Sequence, residues 1–200
     1  DKKSIRVKTR KEDLYNGLRT FNLIAPKTWQ QLNNFLSLQL ATRLGLIVPR
    51  TELVRLGLNG KDRGIHVFVE QITETTLRNS ELMPGDIYRG ELVAKDTIPG
   101  ITGSLFDSAA VWDKVAVNNH YQEDSLAPLE RLLDQVKECD SQDAQRELSQ
   151  LLDMEAWGRF SAYELLAGTK HFVPSHNWRL FYDPWRQKFL PIVWDPAGWM

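Results

Sequence analysis

His171, His176, Asn177 and Asp195 place two imidazoles, an amide and a carboxylate within the last thirty residues of the chain. The stretch joining the last two reads as a β-hairpin. Its arms are Trp178-Arg179-Leu180-Phe181-Tyr182 and Phe189-Leu190-Pro191-Ile192-Val193-Trp194, both rich in aromatic and branched residues, and Asp183-Pro184 opens the connection. With the loop centred near Arg186, antiparallel pairing sets Asn177 opposite Asp195, with Cβ atoms roughly 5 Å apart. An amide oxygen and a carboxylate at one end of a hairpin suit a hard cation. Two other readings compete. Asn177 and Asp195 serve as turn residues flanking strands, or His171, His176 and Asp195 form a two-histidine, one-carboxylate site for a transition metal. Pro174 makes the spacer between the histidines non-helical, so their spacing is not diagnostic.

The preceding residues must position this group. Ser4-Ile5-Arg6-Val7-Lys8 alternates apolar and basic residues as a half-exposed strand does, and Phe21-Asn22-Leu23-Ile24 is a second extended run. Thr28 is the expected N-cap of a helix through Leu44, with Trp29, Leu32, Leu36 and Leu40 on its apolar face and Gly45 as C-cap. Strands 52–58 and 65–72 are expected on either side of an Asn59-Gly60 hairpin turn. Residues 73–107 read as irregular and 107–119 as a short helix. Amphipathic helices follow over 126–137 and 143–152. A third, over 154–166, is apolar around much of its girth and expected to be buried. This order is that of an α+β protein.

Bulk properties exclude some functions. A net charge of −1 argues against a nucleic-acid or membrane-surface protein, which carry a basic excess. Cys139 is the only cysteine, so the chain has no internal disulfide and no cysteine-based zinc site. One thiol fits the cytosol without excluding export. No segment reads as a membrane span, and residues 1–20 lack a signal-peptide core, so the expectation is a soluble segment without a targeting signal. The abrupt start at a strand and the stop just after Asp195 read as truncation at both ends.

The chain resembles the spore coat protein H (CotH) kinase family along nearly its whole length. The matching stretches are Lys3 to Lys8, Phe21-Asn22-Leu23, Leu44 to Arg50, Leu58-Asn59-Gly60, Gly64 to Glu70, His176 to Leu180 and Pro191 to Asp195. The resemblance implies an atypical protein-kinase-like fold, with a small sheet-rich lobe over 1–72 and a larger helical lobe over 73–200. It implies ATP- and Mg2+-dependent phosphoryl transfer to a Ser or Thr hydroxyl of a protein substrate, a coat or envelope protein among the candidates. Kinases build their magnesium site from a catalytic-loop Asn and an Asp after the next hairpin, and these fall on Asn177 and Asp195. His171 then stands where kinases place their catalytic-loop histidine. His176 orients Asn177 or lines the phosphate site.

For the phosphates, the expected strand lysine is Lys8, then Arg6, then Lys3. Its usual acidic partner is missing, since the helix segment 29–46 contains no acid, and Glu70 is the substitute expected to face the cleft. Gly57, Gly60 and Gly64 do not form a phosphate-loop pattern. Ungapped alignment sets Val173 where the family and ordinary kinases generally carry a catalytic Asp, and an alkyl group accepts no proton. A pseudokinase or interaction module therefore stands as the alternative. A sugar- or envelope-binding module using Trp178, Trp185, Trp194 and Trp199 is a third reading, although most of these alternate with strand residues as core positions do.

Overall fold

In the computed structural model, residues 2–26, 30–92, 103–116 and 125–199 are described. They form a mixed α+β structure with two four-stranded antiparallel sheets and five α-helices.

The first sheet has the order β1-β2-β4-β3, from β1 (Ile5–Lys8), β2 (Thr20–Ile24), β3 (Thr51–Leu58) and β4 (Lys61–Glu70). Asn59 and Gly60 join β3 to β4 with φ of 52° and 71°, the pair of positive values a tight hairpin turn requires. Strand alternation sorts the side chains. Val7, Phe21, Leu23 and Phe68 pack on one face with Leu18, Val54 and Leu56. Arg6, Asn22, Ile24, Val67 and Val69 have the opposite parity and meet across another face.

Helix α1 (Gln30–Arg43) follows β2 and ends as expected at Gly45, whose φ is 70°. The expected N-cap Thr28 and Trp29 lie outside the described residues. The expected apolar face is corrected. Leu32 and Leu36 are exposed, whereas Asn33, Ser37, Leu38 and Ala41 are buried. The buried stripe is thus turned by one residue, about 100°. Leu38 and Ala41 join Phe160, Tyr163, Ala167 and Val193, so α1 packs on the C-terminal helix as well as facing the first sheet through Phe35 and Leu38.

The second sheet, β6-β5-β7-β8, contains β5 (Asp86–Gly90), β6 (Trp112–Ala116), β7 (Trp178–Asp183) and β8 (Lys188–Pro191). Two expectations fail here. The 73–107 stretch contains α2 (Glu74–Asn79), capped by Thr73, and β5, while residues 112–116 are a strand rather than part of a helix. Strand β5 is five residues long and is defined by its pairing with β7, a contact across some ninety positions of sequence. Local pattern cannot reveal it.

Tyr88, Leu180 and Phe189 pack with Leu129, Leu132 and Leu133 of α3 (Ala127–Lys137). Ile87, Phe181 and Leu190 fill the opposite side with Ile47, Ile72 and Leu77. Helix α4 (Gln142–Leu151) adds Leu151 to the first of these clusters. Helix α5 (Met154–Ala167) buries Phe160, Tyr163 and Ala167, but Leu165 and Leu166 face solvent, so it is not buried around its girth. Residues after β8 bind back to the segment following α1, where Val193 N–H donates to Ile47 O at 2.9 Å.

Candidate functional site

The late hairpin forms with a register one residue from that expected. Leu180 pairs with Pro191, Phe181 with Leu190, Tyr182 with Phe189 and Asp183 with Lys188. Its loop is centred between Trp185 and Arg186, and Asp183 Oδ1 accepts the Trp185 and Arg186 N–H groups at 2.9 and 3.2 Å. Continued outward, this register sets Asn177 opposite Trp194 rather than Asp195. A one-residue shift reverses side-chain faces wherever strand geometry persists. Here it does not persist. Asn177 and Asp195 have φ of 67° and 44°, left-handed values that Asn and Asp tolerate better than most residues.

His171 links the two. Asn177 Nδ2 donates to His171 O at 3.2 Å, and His171 Nδ1 lies 2.7 Å from Asp195 O and 3.4 Å from its Oδ2. Both neighbours of Nδ1 are oxygens, so this nitrogen carries the proton that is donated. His176 stacks edge-on to His171, with centroids 5.2 Å apart, and its Nδ1 meets Ser175 Oγ at 3.2 Å. Among the described residues no group of three or more His, Cys, Asp or Glu could hold a metal, so His171, His176 and Asp195 do not converge as a transition-metal centre.

Asp195 opens onto a cleft of about 520 Å3 between the first sheet, α1 and the end of the hairpin. Ile5, Ile24, Phe35, Leu38, Val67, Val69 and Trp194 line its apolar part; Ser4, Arg6, Asn22, Asn34 and Asp195 are polar. Asp195 is the single carboxylate among these residues, and its side chain keeps 43% exposure. Arg6 Nε donates to Asn22 Oδ1 at 3.1 Å. Asn177 is buried and does not line the cleft. The side chains of Asn177 and Asp195 therefore do not both open into it, as the simple hairpin picture requires.

The other basic candidates separate along β1. Lys8 shares the parity of Arg6 but stands two residues further on and lies outside the cleft. Lys3 lines a different, larger cavity of about 820 Å3 with Lys2, Asp62 and His66, which Arg6 also borders. Glu70 does not face the Asp195 cleft. It has the parity of Phe68, not of Val67 and Val69, and is fully buried, with Arg50 N–H donating to Oε2 at 2.9 Å and Thr76 Oγ1 to Oε1 at 3.0 Å. Its carboxylate fixes the chain on either side of the β4 exit.

Two residues escaped the sequence reading. Asn22 is a polar side chain within the apolar run Phe21 to Ile24, and Asn34 follows Asn33 in a helix interior, where asparagine is unfavourable. Asn34 Nδ2 donates to Asp195 Oδ1, and Asn34 Oδ1 accepts from Ala197 N–H at 2.6 Å. Asn33 Nδ2 donates to Trp199 O at 2.9 Å. These bonds explain the rotated face of α1: it holds the hydrogen-bonding segment 195–199. A side chain at Gly198 would collide with Ser37 and with Ala167, so the segment needs glycine there.

The tryptophans do not form one platform. Trp178 sits among Trp157, Phe160 and Phe172, and Trp185 lies at the hairpin's turn, the far end from Trp194 and Trp199. No helix among the described residues is long and apolar enough to cross a membrane.

No curated protein matches this sequence. Among solved structures, the complex of HipA, HipB and operator DNA from the Shewanella oneidensis MR-1 toxin–antitoxin system contains a similar chain. The identity is 14% and the TM-score 0.35, over 90% of this chain and 36% of that one, so this chain spans about a third of that chain's length. The sequence model of the CotH kinase protein family matches residues 1–199, and the chain belongs to that family.

Proposed function

We propose that the protein is a kinase that transfers the γ-phosphate of ATP to a Ser or Thr hydroxyl of a protein substrate, with residues 1–72 as a small lobe and 73–200 as a larger one. The observation that carries this reading is the convergence of Arg6 and Asp195 on one cleft. That cleft is lined by both apolar and polar side chains, the two kinds of surface that a purine with a phosphate chain needs. Oxygen ligands suit Mg2+. Asp195 retains an exposed carboxylate, so it fits as the principal ligand. Asn177 is buried outside the cleft, so its amide acts through His171, to whose carbonyl it donates, rather than on the cation itself. Mg2+ bound here would neutralise phosphate charge.

The chain's own residues then divide the work. Arg6 offers a charged donor to phosphate oxygens. His171 fixes the backbone of Asp195 and the side chain of Asn177 together. Phosphoryl transfer depends mainly on positioning and charge stabilisation, and this site supplies both. Among the described residues that line the cleft, Asp195 has no second carboxylate beside it to take the hydroxyl proton.

That lack favours the second reading, a pseudokinase or interaction module that binds nucleotide or a protein or envelope partner without efficient catalysis. Val173 uses its backbone oxygen, accepting from His176 N–H at 3.2 Å and Trp178 Nε1 at 2.9 Å, and its side chain is aliphatic. The test is transfer of labelled γ-phosphate to the chain itself and to a generic protein acceptor, for wild type and Val173→Asp. An active kinase labels hydroxyl residues in wild type. A decayed one gains activity with Val173→Asp, by roughly a hundred- to ten-thousand-fold for a restored general base. No transfer by either protein, with ATP nevertheless bound, favours the nucleotide-binding module.

A further inference from the structure

We infer that Asn34 is a positioning residue for Asp195: from the middle of α1 it sets the direction of the carboxylate that faces the cleft. The inference rests on the reading of Asp195 as a cation ligand. The backbone around Asp195 is not held by strand pairing, since β8 ends at Pro191 and Asp195 and Ala197 both have φ of 44°. Their geometry must come from neighbours. Asn34 touches both, giving Nδ2 to Asp195 Oδ1 and taking the Ala197 N–H on its Oδ1. His171 fixes the opposite side through Asp195 O.

An amide is suited to this task. It donates one hydrogen bond, leaving carboxylate lone pairs for a cation, and brings no charge to compete with one. A lysine or arginine at the same place would neutralise Asp195. Helix α1 contains no acidic residue, so it cannot make the ion pair by which kinases couple this helix to the phosphate-binding lysine. Its contact with the site runs instead through Asn34 to the carboxylate itself. Displacing α1 then displaces a cation ligand directly.

The test uses the whole chain with Mn2+ as the probe, titrated with ATP present and followed by electron paramagnetic resonance from pH 5.5 to 8.5. Asn34→Leu, close in size, removes both hydrogen bonds and is expected to weaken Mn2+ binding about 10- to 100-fold, as losing the partner of a ligand does. Asn34→Asp keeps the acceptor for Ala197 but sets a second carboxylate against Asp195. Such a pair holds a proton that the cation must displace. Mn2+ affinity in this variant is expected to fall as pH is lowered, more steeply than in wild type. Among the described residues, His171 and Arg6 are the other titratable or charged groups beside Asp195; they are common to all proteins compared, so the difference isolates position 34. Mn2+ binding and pH profiles unchanged in both variants, with Asp195→Ala inactive in binding, would overturn the role of Asn34 alone. Unchanged binding in Asp195→Ala would overturn the cation site and this inference with it.

Discussion

Arg6 and Lys8 share a strand, a parity and a charge, yet only Arg6 borders the cleft of Asp195. Two residues of strand are roughly 6.6 Å of travel, more than a hydrogen bond can bridge. Arg6→Ala is therefore expected to weaken ATP binding tenfold or more, the worth of one charge-assisted hydrogen bond of roughly 1.5–3 kcal/mol. Lys8→Ala is expected to leave it unchanged. Equal losses in a nucleotide titration of the two variants would return the phosphate contact to the whole basic strand. The sequence does not order these residues along the cleft, because alternation gives the face of a strand but not where along it a cleft begins. Glu70 is the converse case: strand parity alone sets it apart from Val67 and Val69, and its burial follows from partners at Arg50 and Thr76.

At the scale of elements, α5 is capped by Asp153, whose Oδ1 accepts the Ala156 N–H at 3.0 Å and whose Oδ2 lies 2.5 Å from Arg186. Burial opposes the charge on this carboxyl, but the Ala156 N–H and the Arg186 guanidinium outweigh it and hold its pKa below the ordinary value. The sign follows. A depressed folded-state pKa contributes stability that is complete above the ordinary Asp value of about 4 and is lost as pH falls through the depressed value. Asp153→Ala should cost about 0.5–2 kcal/mol at neutral pH, with the gap from wild type narrowing below about pH 4, as urea unfolding would measure. In the second sheet, Lys114 and Asp86 form a buried ion pair at 3.1 Å. Lys114→Met leaves the acid buried beside an apolar chain and should cost about 3–5 kcal/mol by the same measurement. A loss under 1 kcal/mol would show that its other partners, the Tyr88 hydroxyl at 3.2 Å among them, suffice to hold Asp86. Neither partner stood out in the sequence, because β5 and β6 are short strands specified by distant pairing. The hairpins and the three C-terminal helices were legible, since their periodicity and turn residues are local. The buried face of α1 was not: two of the residues that turn inward, Asn33 and Ser37, are polar, and the partners of Asn33 and Asn34 lie more than 160 positions away.

Across the whole molecule, the segment 195–199 is the meeting point. It leaves the second sheet, is bound by Asn33 and Asn34 of α1, and returns to α5 where Trp199 N–H donates to Ala167 O at 2.6 Å. The carboxylate proposed to hold Mg2+ thus sits where both helices and the hairpin end converge, opposite a face of the first sheet. The resemblance carried by short stretches in order along the chain points to Asn177 and Asp195. It did not reveal that His171 joins them or that the hairpin register keeps them from directly opposing one another. The central claim is that Asp195 makes ATP binding metal-dependent. The most direct test is calorimetric titration of ATP into the chain with and without Mg2+, for wild type and Asp195→Ala. The expected result is binding by wild type only when Mg2+ is present, none by Asp195→Ala, and unchanged far-ultraviolet circular dichroism for the variant. Equal Mg2+-dependent binding by both proteins, or binding by neither, would contradict it.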